Sequence, residues 1–264
     1  LSYMSPEEAT KILIKMGIEK IKKILETMYI LGENDHIDRI YTLLRRIFPS
    51  IVALDPTIAG DILSAFAGTN DDTAGAIAAY FVTTLTANQA ARVFAEMPAR
   101  DVAFILEFRI IPDAHRTDIL KAMPPYKAFP ILLFMRKDFA ESIAGQTSPT
   151  IASALELFYT ISDVFYSADY TNEEVYTSLA VAASVEIYDP ILSNPHYSLD
   201  EIAALLTVLP PSRSTEIFVY MLDQGDLIRS RAEIIDTFSR MSRTARAEIL
   251  DKMDTAHSAI LTGG

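Results

Sequence analysis

A short apolar cadence recurs seven times along this chain, and it leaves few folds open. In the segment Leu85–Met97 the anchor Leu85 is followed by a helix-starting residue, Thr86. Ala90 stands five positions after the anchor, the apolar pair Val93-Phe94 at eight and nine, and the next anchor, Met97, at twelve. Met97-Pro98 repeats the pattern with Val102, Ile105 and Leu106. Ile111-Pro112 follows with Ile119, Leu120 and Met123, and Met123-Pro124 with Ala128, Ile131, Leu132 and Met135. The same template fits Leu54-Asp55-Pro56 with Ala59, Ile62, Leu63 and Phe66. It also fits Leu209-Pro210 with Ile217, Phe218 and Met221, and Met241-Ser242 with Ile249, Leu250 and Met253.

Apolar residues three and four apart lie on one face of a helix. Thr86, Asp55 and Ser242 are suited to N-caps, and Pro98, Pro112, Pro124 and Pro210 to helix starts, where a missing N–H costs nothing. A repeat of this length holds a helix of about ten residues and a tight turn. Such a helix is unstable alone and must stack on its neighbours. The pattern therefore predicts an all-α fold, a superhelical, solenoid-like array of short helices in two repeat blocks. Capping boxes at Ser5-Pro-Glu-Glu8, Thr171-Asn-Glu-Glu174, Ser198-Leu-Asp-Glu201 and Ser230-Arg-Ala-Glu233 mark further helix starts. Ile51 to Leu54, the nearest candidate for a strand, reads better as the lead-in to a helix.

Four regions are expected: an N-terminal helical segment at 1–48, a first repeat block at 49–137, an acidic, aromatic-rich helical connection at 138–195, and a second repeat block at 196–264. The Met residues at repeat anchors, Met97, Met123, Met135, Met221, Met241 and Met253, are expected to fill the core.

Charge is where composition matters. The 264 residues carry 35 acidic and 23 basic side chains, a formal net charge of −12. From Asp138 to Ser212 there is no Lys or Arg, and 11 carboxylates account for −11 of that total. An acidic chain is a poor general binder of nucleic acid, because phosphates need Lys and Arg. The same stretch is rich in tyrosine, whose flat ring with a polar tip is favoured at interfaces. Glu156, Tyr159, Asp163, Tyr166, Asp169, Tyr170, Glu173, Glu174 and Tyr176 are the candidate protein-binding residues, offered to a partner with a basic surface. The competing reading is a solvated acidic face with its tyrosines half-buried between repeats.

No chemistry declares itself. There is no cysteine, hence no disulfide framework, thiolate metal site, cysteine nucleophile or thioether-attached cofactor. His36, His115, His196 and His257 are far apart, and none has a partner at zinc-site spacing. GxSxG, P-loop and GxGxxG motifs are missing. Asp71-Asp72 lacks the calcium-loop spacing and reads as a turn before a helix. Glu173-Glu174 opens a helix, where carboxylates suit the macrodipole, and neighbours on a helix point about 100° apart, which is unfavourable for a paired-carboxylate site. No catalytic residue, metal ligand or cofactor is expected.

No run approaches the roughly 20 apolar residues that span a bilayer; Ala128 to Met135, the longest, is broken by Pro130. The N-terminal Lys15, Lys20, Lys22 and Lys23 lie among Ile18, Ile21, Ile24 and Leu25, but Glu19 and Glu26 interrupt the polar face. A docking helix or an array cap is expected there rather than a membrane-surface helix. A soluble protein of a reducing compartment, such as cytoplasm or plastid stroma, is the expectation. A start at Leu1 is compatible with loss of a transit peptide.

The run from Met97-Pro-Ala-Arg-Asp through Ile111-Pro-Asp-Ala-His-Arg to Met123-Pro-Pro-Tyr-Lys-Ala resembles the repeat of the intracellular N-terminal domain of MgtE-type magnesium transporters. It is similar to the middle domain of the flagellar motor switch protein FliG. Leu209-Pro-Pro-Ser-Arg-Ser and Met241-Ser-Arg-Thr-Ala-Arg match more loosely. The resemblance covers about 130 residues. It implies a right-handed superhelix serving as an interaction or regulatory module. In those transporters acidic residues help sense magnesium, and Asp101, Asp113 and Asp118 lie on repeat helices here without matching a ligand motif. The expected function is a non-enzymatic protein–protein interaction scaffold or linker in a larger, membrane-associated assembly, such as a photosynthetic antenna or a motor complex. A magnesium-responsive regulatory domain and a helical enzyme with a carboxylate site are the alternatives.

Overall fold

The computed structural model describes residues 5–17, 37–68, 72–165, 171–177 and 185–263, with Lys20, Lys23, Thr27 and Ala180. Every regular element among them is a helix, as the cadence predicts. The chain forms two compact units, Leu1–Pro124 and Pro125–Gly264. The division falls inside the run of four consecutive repeats, so the helix that follows Met123-Pro124 opens the second unit.

The first unit contains α1 (Pro6–Met16), α2 (Ile37–Leu54), α3 (Pro56–Ala67), α4 (Asp72–Thr83), α5 (Ala87–Phe94), α6 (Ala99–Leu106) and α7 (Asp113–Ala122). α1 packs on α2, and α2 runs across residue 48, where a boundary was expected. Ile51 to Leu54 form its last turn. From there each helix packs on the second one along: α2 on α4, α3 on α5, α4 on α6, α5 on α7. Beside this skip-one pairing consecutive helices pack as well, α2 on α3 and α3 on α4, and together these pairings give helices of eight to twelve residues, marginal alone, a shared core. α5 buries Ala90, Ala91, Val93 and Phe94, the positions the repeat assigns to the core.

The expected caps form. Asp55 accepts from the backbone N–H groups of Thr57 and Ile58, and Thr86 makes a reciprocal capping box with Gln89. Pro98 and Pro112 stand at the N-cap position itself, one residue before the helices they start. Gly75 lets α4 approach α6 closely: a Cβ on it would overlap the rings of Phe104 and Phe108.

The second unit contains α8 (Pro125–Phe134), α9 (Lys137–Thr147), α10 (Pro149–Phe165), α11 (Asn172–Thr177), α12 (Asp189–Leu192), α13 (Leu199–Val208), α14 (Pro211–Gln224), α15 (Arg231–Arg240), α16 (Arg243–Lys252) and α17 (Thr255–Thr262). Skip-one pairing returns as α8 on α10, α13 on α15, α14 on α16 and α15 on α17. α13 also lies along α10. The capping boxes at Thr171, Ser198 and Ser230 form as expected. α17 extends the array beyond the last repeat read from the sequence. Asp254 caps it, and Leu261 is its buried residue, eight after the anchor Met253.

The fifth position after each anchor shows a device the apolar template hides. Ala90, Val102, Ala128 and Ala59 occupy it as core residues, but the buried polar residues Arg116 and Ser214 occupy it elsewhere. Arg116 is buried and donates from Nε to the Leu106 carbonyl at 2.6 Å and from Nη2 to the Phe108 carbonyl at 2.5 Å, while also pairing with Asp113. Ser214 Oγ donates to the Leu206 carbonyl at 2.6 Å. Both satisfy carbonyls in or just after the last turn of the preceding helix, groups that have no partner within it. Arg229, outside the template, does the same on a larger scale. It donates to the carbonyls of Leu192 at 2.7 Å, Asn194 at 2.9 Å and Tyr197 at 3.0 Å, and pairs with Glu233.

Candidate protein-binding groove

Helices α9 and α10 pack against each other, with Ser148 between them. Pro149 opens α10, its missing N–H costing nothing there. Lys137, Glu141 and Ala144 repeat at four and three residues on α9, and so share one face. Ala152, Leu155, Glu156, Tyr159 and Thr160 do the same on α10. Together they line a groove of about 410 Å3.

The groove is polar at its rim and apolar at its floor. Leu155 and Ala144 are fully buried, while Lys137, Glu141, Glu156 and Thr160 are exposed. Tyr159 lies between these zones. Lys137 Nζ stands 4.7 Å from the centroid of its ring, and the Phe158 ring meets it edge-on at 6.1 Å. The Tyr159 hydroxyl is buried and has no hydrogen-bond partner among the described residues. Burial, helped by the nearby Glu141 carboxylate, pushes the phenol up to about 12. Both causes act in one direction, since desolvation and a neighbouring negative charge each disfavour the phenolate. The groove thus offers two carboxylates, an aromatic face and a neutral phenol whose hydrogen-bonding capacity is unused.

Of the residues singled out in the acidic stretch, Glu156 and Tyr159 line this groove. Glu174 does other work: its carboxylate accepts from the Thr171 backbone N–H and hydroxyl, and these bonds hold it below the usual carboxylate range. Tyr176 is half-buried, its ring 6.0 Å from that of the core residue Phe129, and burial raises its phenol. That is a packing role. Asp163 and Glu173 lie on α10 and α11, with their side chains outside the described residues, as are Tyr166, Asp169 and Tyr170 altogether. Phe158 and Tyr188 of the same stretch are core residues, Tyr188 beneath the Arg213 guanidinium at 5.5 Å.

Two groove residues, Lys137 and Glu141, were not singled out. Lys137 lies just before the stretch without basic side chains, and Glu141 was counted only in its charge. The signal that finds them is their phase on α9, seven and three residues before Ala144.

A second recess, of about 340 Å3, is lined by Ser148, Thr150, Asp200, Arg240 and Ser242 among others. Arg240 already spans Asp200 at 2.9 Å and Asp236 at 2.8 Å, so its charge is matched. This pairing also gives Asp200, one of the eleven carboxylates of the acidic stretch, a share of a cation. Asp113 and Asp118 are exposed and Asp101 is partly so. Among the described residues no three His, Asp or Glu side chains come together in a way that could hold a metal ion, and no helix is long and apolar enough to cross a membrane. No protein-family model, no curated protein and no solved structure matches the chain.

Proposed function

We propose that this chain is a non-enzymatic scaffold or linker within a larger protein assembly, and that the groove between α9 and α10 receives a basic side chain of its partner. The observation that carries this reading is the desolvated Tyr159 hydroxyl, without a hydrogen-bond partner among the described residues, flanked by the exposed carboxylates of Glu141 and Glu156. A guanidinium or ammonium group entering there would pair with the carboxylates, donate to the phenol oxygen and lie against the ring. Lys137 over that ring is the internal cation that an incoming one replaces. The surrounding stretch, −11 in charge, would draw such a partner in at long range. A helical repeat array, exposing a long surface for its length, supports the same reading.

The test is titration with an arginine-rich peptide over a range of salt concentrations, for the native chain and for Glu141→Gln/Glu156→Gln. Affinity in the variant is expected to fall by about tenfold or more, corresponding to about 1.4 kcal/mol, with a shallower salt dependence. Equal affinity and equal salt slope would remove the groove from the reading. Purification of the native assembly then identifies the neighbour that supplies the basic surface.

A further inference from the structure

The last helix, α17, is thinly held. It packs mainly on α15, and Leu261 is its one buried residue. His257 ties it elsewhere: Nε2 lies 3.1 Å from Asp223 Oδ1 at the end of α14, and Nδ1 lies 2.5 Å from Asp254 Oδ2 at the N-cap of α17. A neutral imidazole has one N–H, and a carboxylate accepts only. Both contacts can be hydrogen bonds only when the ring is doubly protonated.

The placement of the charges supports this. Asp223 stands in the last turn of α14, where the helix dipole disfavours a carboxylate. His257 stands in the first turn of α17, where it disfavours a cation. Each side chain is poorly placed alone and well placed opposite the other. Asp223 and Asp254 are the charged groups that face the ring; α15 contributes none among the described residues.

We propose that protonated His257 is a pH-sensitive latch that fastens α17 to the end of α14, and that its deprotonation loosens the last helix. The two carboxylates raise the histidine above its ordinary 6.5, and His257 in turn lowers Asp254. A group raised in the folded state stabilises fully below its unfolded value, and its contribution fades as pH rises through the folded value. The latch is therefore closed in mildly acidic solution and opens on the alkaline side of 6.5. Loosening α17 uncovers Leu261.

The experiment follows the His257 ring by NMR while hydrogen exchange is measured at the α17 amides. With both ring nitrogens protonated below the transition, the ring is expected to titrate above 6.5. Exchange in α17, corrected for its intrinsic dependence on pH, is expected to rise by about tenfold for each unit by which the ring is raised. In Asp223→Asn the ring value falls and the pH dependence of α17 exchange shrinks with it; His257→Gln exchanges fast throughout. A ring value at or below 6.5, or α17 protection indifferent to the ring's titration in the native chain, overturns the proposal.

Discussion

The ammonium of Lys137 lies over the Tyr159 ring at 4.7 Å, and the hydroxyl at the far end of that ring is buried with no hydrogen-bond partner among the described residues. One residue therefore has its face used and its polar tip unused. Leaving a buried hydroxyl unpaired costs about 1–3 kcal/mol, whereas a partly exposed cation–π contact returns about 0.5–1 kcal/mol. Tyr159→Phe is expected to leave stability unchanged or raise it by about 1 kcal/mol in urea unfolding. In the same variant, ultraviolet titration should lose the phenol that ionises near 12. A clear loss of stability would show that the hydroxyl has a partner after all.

Gly75 and Gly145 make opposite predictions for the same substitution. Both lie within helices, where glycine costs about 1 kcal/mol relative to alanine. A Cβ at Gly145 meets nothing, so Gly145→Ala should stabilise by about 0.5–1 kcal/mol. At Gly75 it overlaps the Phe104 and Phe108 rings, which meet edge to face at 5.2 Å. Overpacking outweighs propensity there, and Gly75→Ala should cost about 1–3 kcal/mol. Adding Phe108→Leu should restore part of the loss, and denaturant midpoints of the three variants check the ordering.

Arg229 joins three carbonyls that precede α13 to the start of α15. Its side chain is only 9% exposed, so its removal leaves those carbonyls short of donors. Arg229→Ala is expected to destabilise by about 2–4 kcal/mol, given roughly 1 kcal/mol per hydrogen bond and more for charged donors. Arg229→Lys should recover little, because an ammonium cannot reproduce the planar fork. Equal stability of the alanine variant and the native chain would deny Arg229 this role.

Acid should weaken the chain through its helix starts. Glu8, Glu174 and Glu233 are held below the usual carboxylate range chiefly by bonds to Ser5, Thr171 and Ser230, and Asp236 by Arg240. A carboxylate lowered on folding stabilises above its unfolded value and loses that contribution as pH falls through the folded one. Urea midpoints are therefore expected to hold from about pH 5 up to the His257 transition, and to fall steadily below about pH 5. Glu233→Gln, which keeps an acceptor but no charge, should flatten part of that fall.

The helical architecture was legible because the repeat encodes it twice, in apolar phase and in cap residues. Asp55, Thr86, Ser198, Ser230 and Ser242 all cap as read. The arginines were not legible. Arg116 sits where the template expects a small or apolar residue, and its use becomes visible only when Leu106 and Phe108 present their carbonyls. The acidic stretch was read as one surface because charge and tyrosine content are properties of a segment. Folding sorts that segment by helical phase, sending Phe158 and Tyr188 to the core and Glu156 and Tyr159 to the groove. The His257 contact with Asp223 spans 34 residues, a separation at which sequence carries no spacing signal.

Skip-one pairing also imposes a parity. Because α13, α15 and α17 form one series and α14 and α16 the other, a helix inserted singly among them would move each later helix into the opposite series. Contacts within one series, such as the Thr215 hydroxyl of α14 donating to the Ile249 carbonyl of α16 at 3.2 Å, would then be lost. An array of this kind can lengthen or shorten in helix pairs, and a variant that gains or loses two should keep its core where one that changes by a single helix does not.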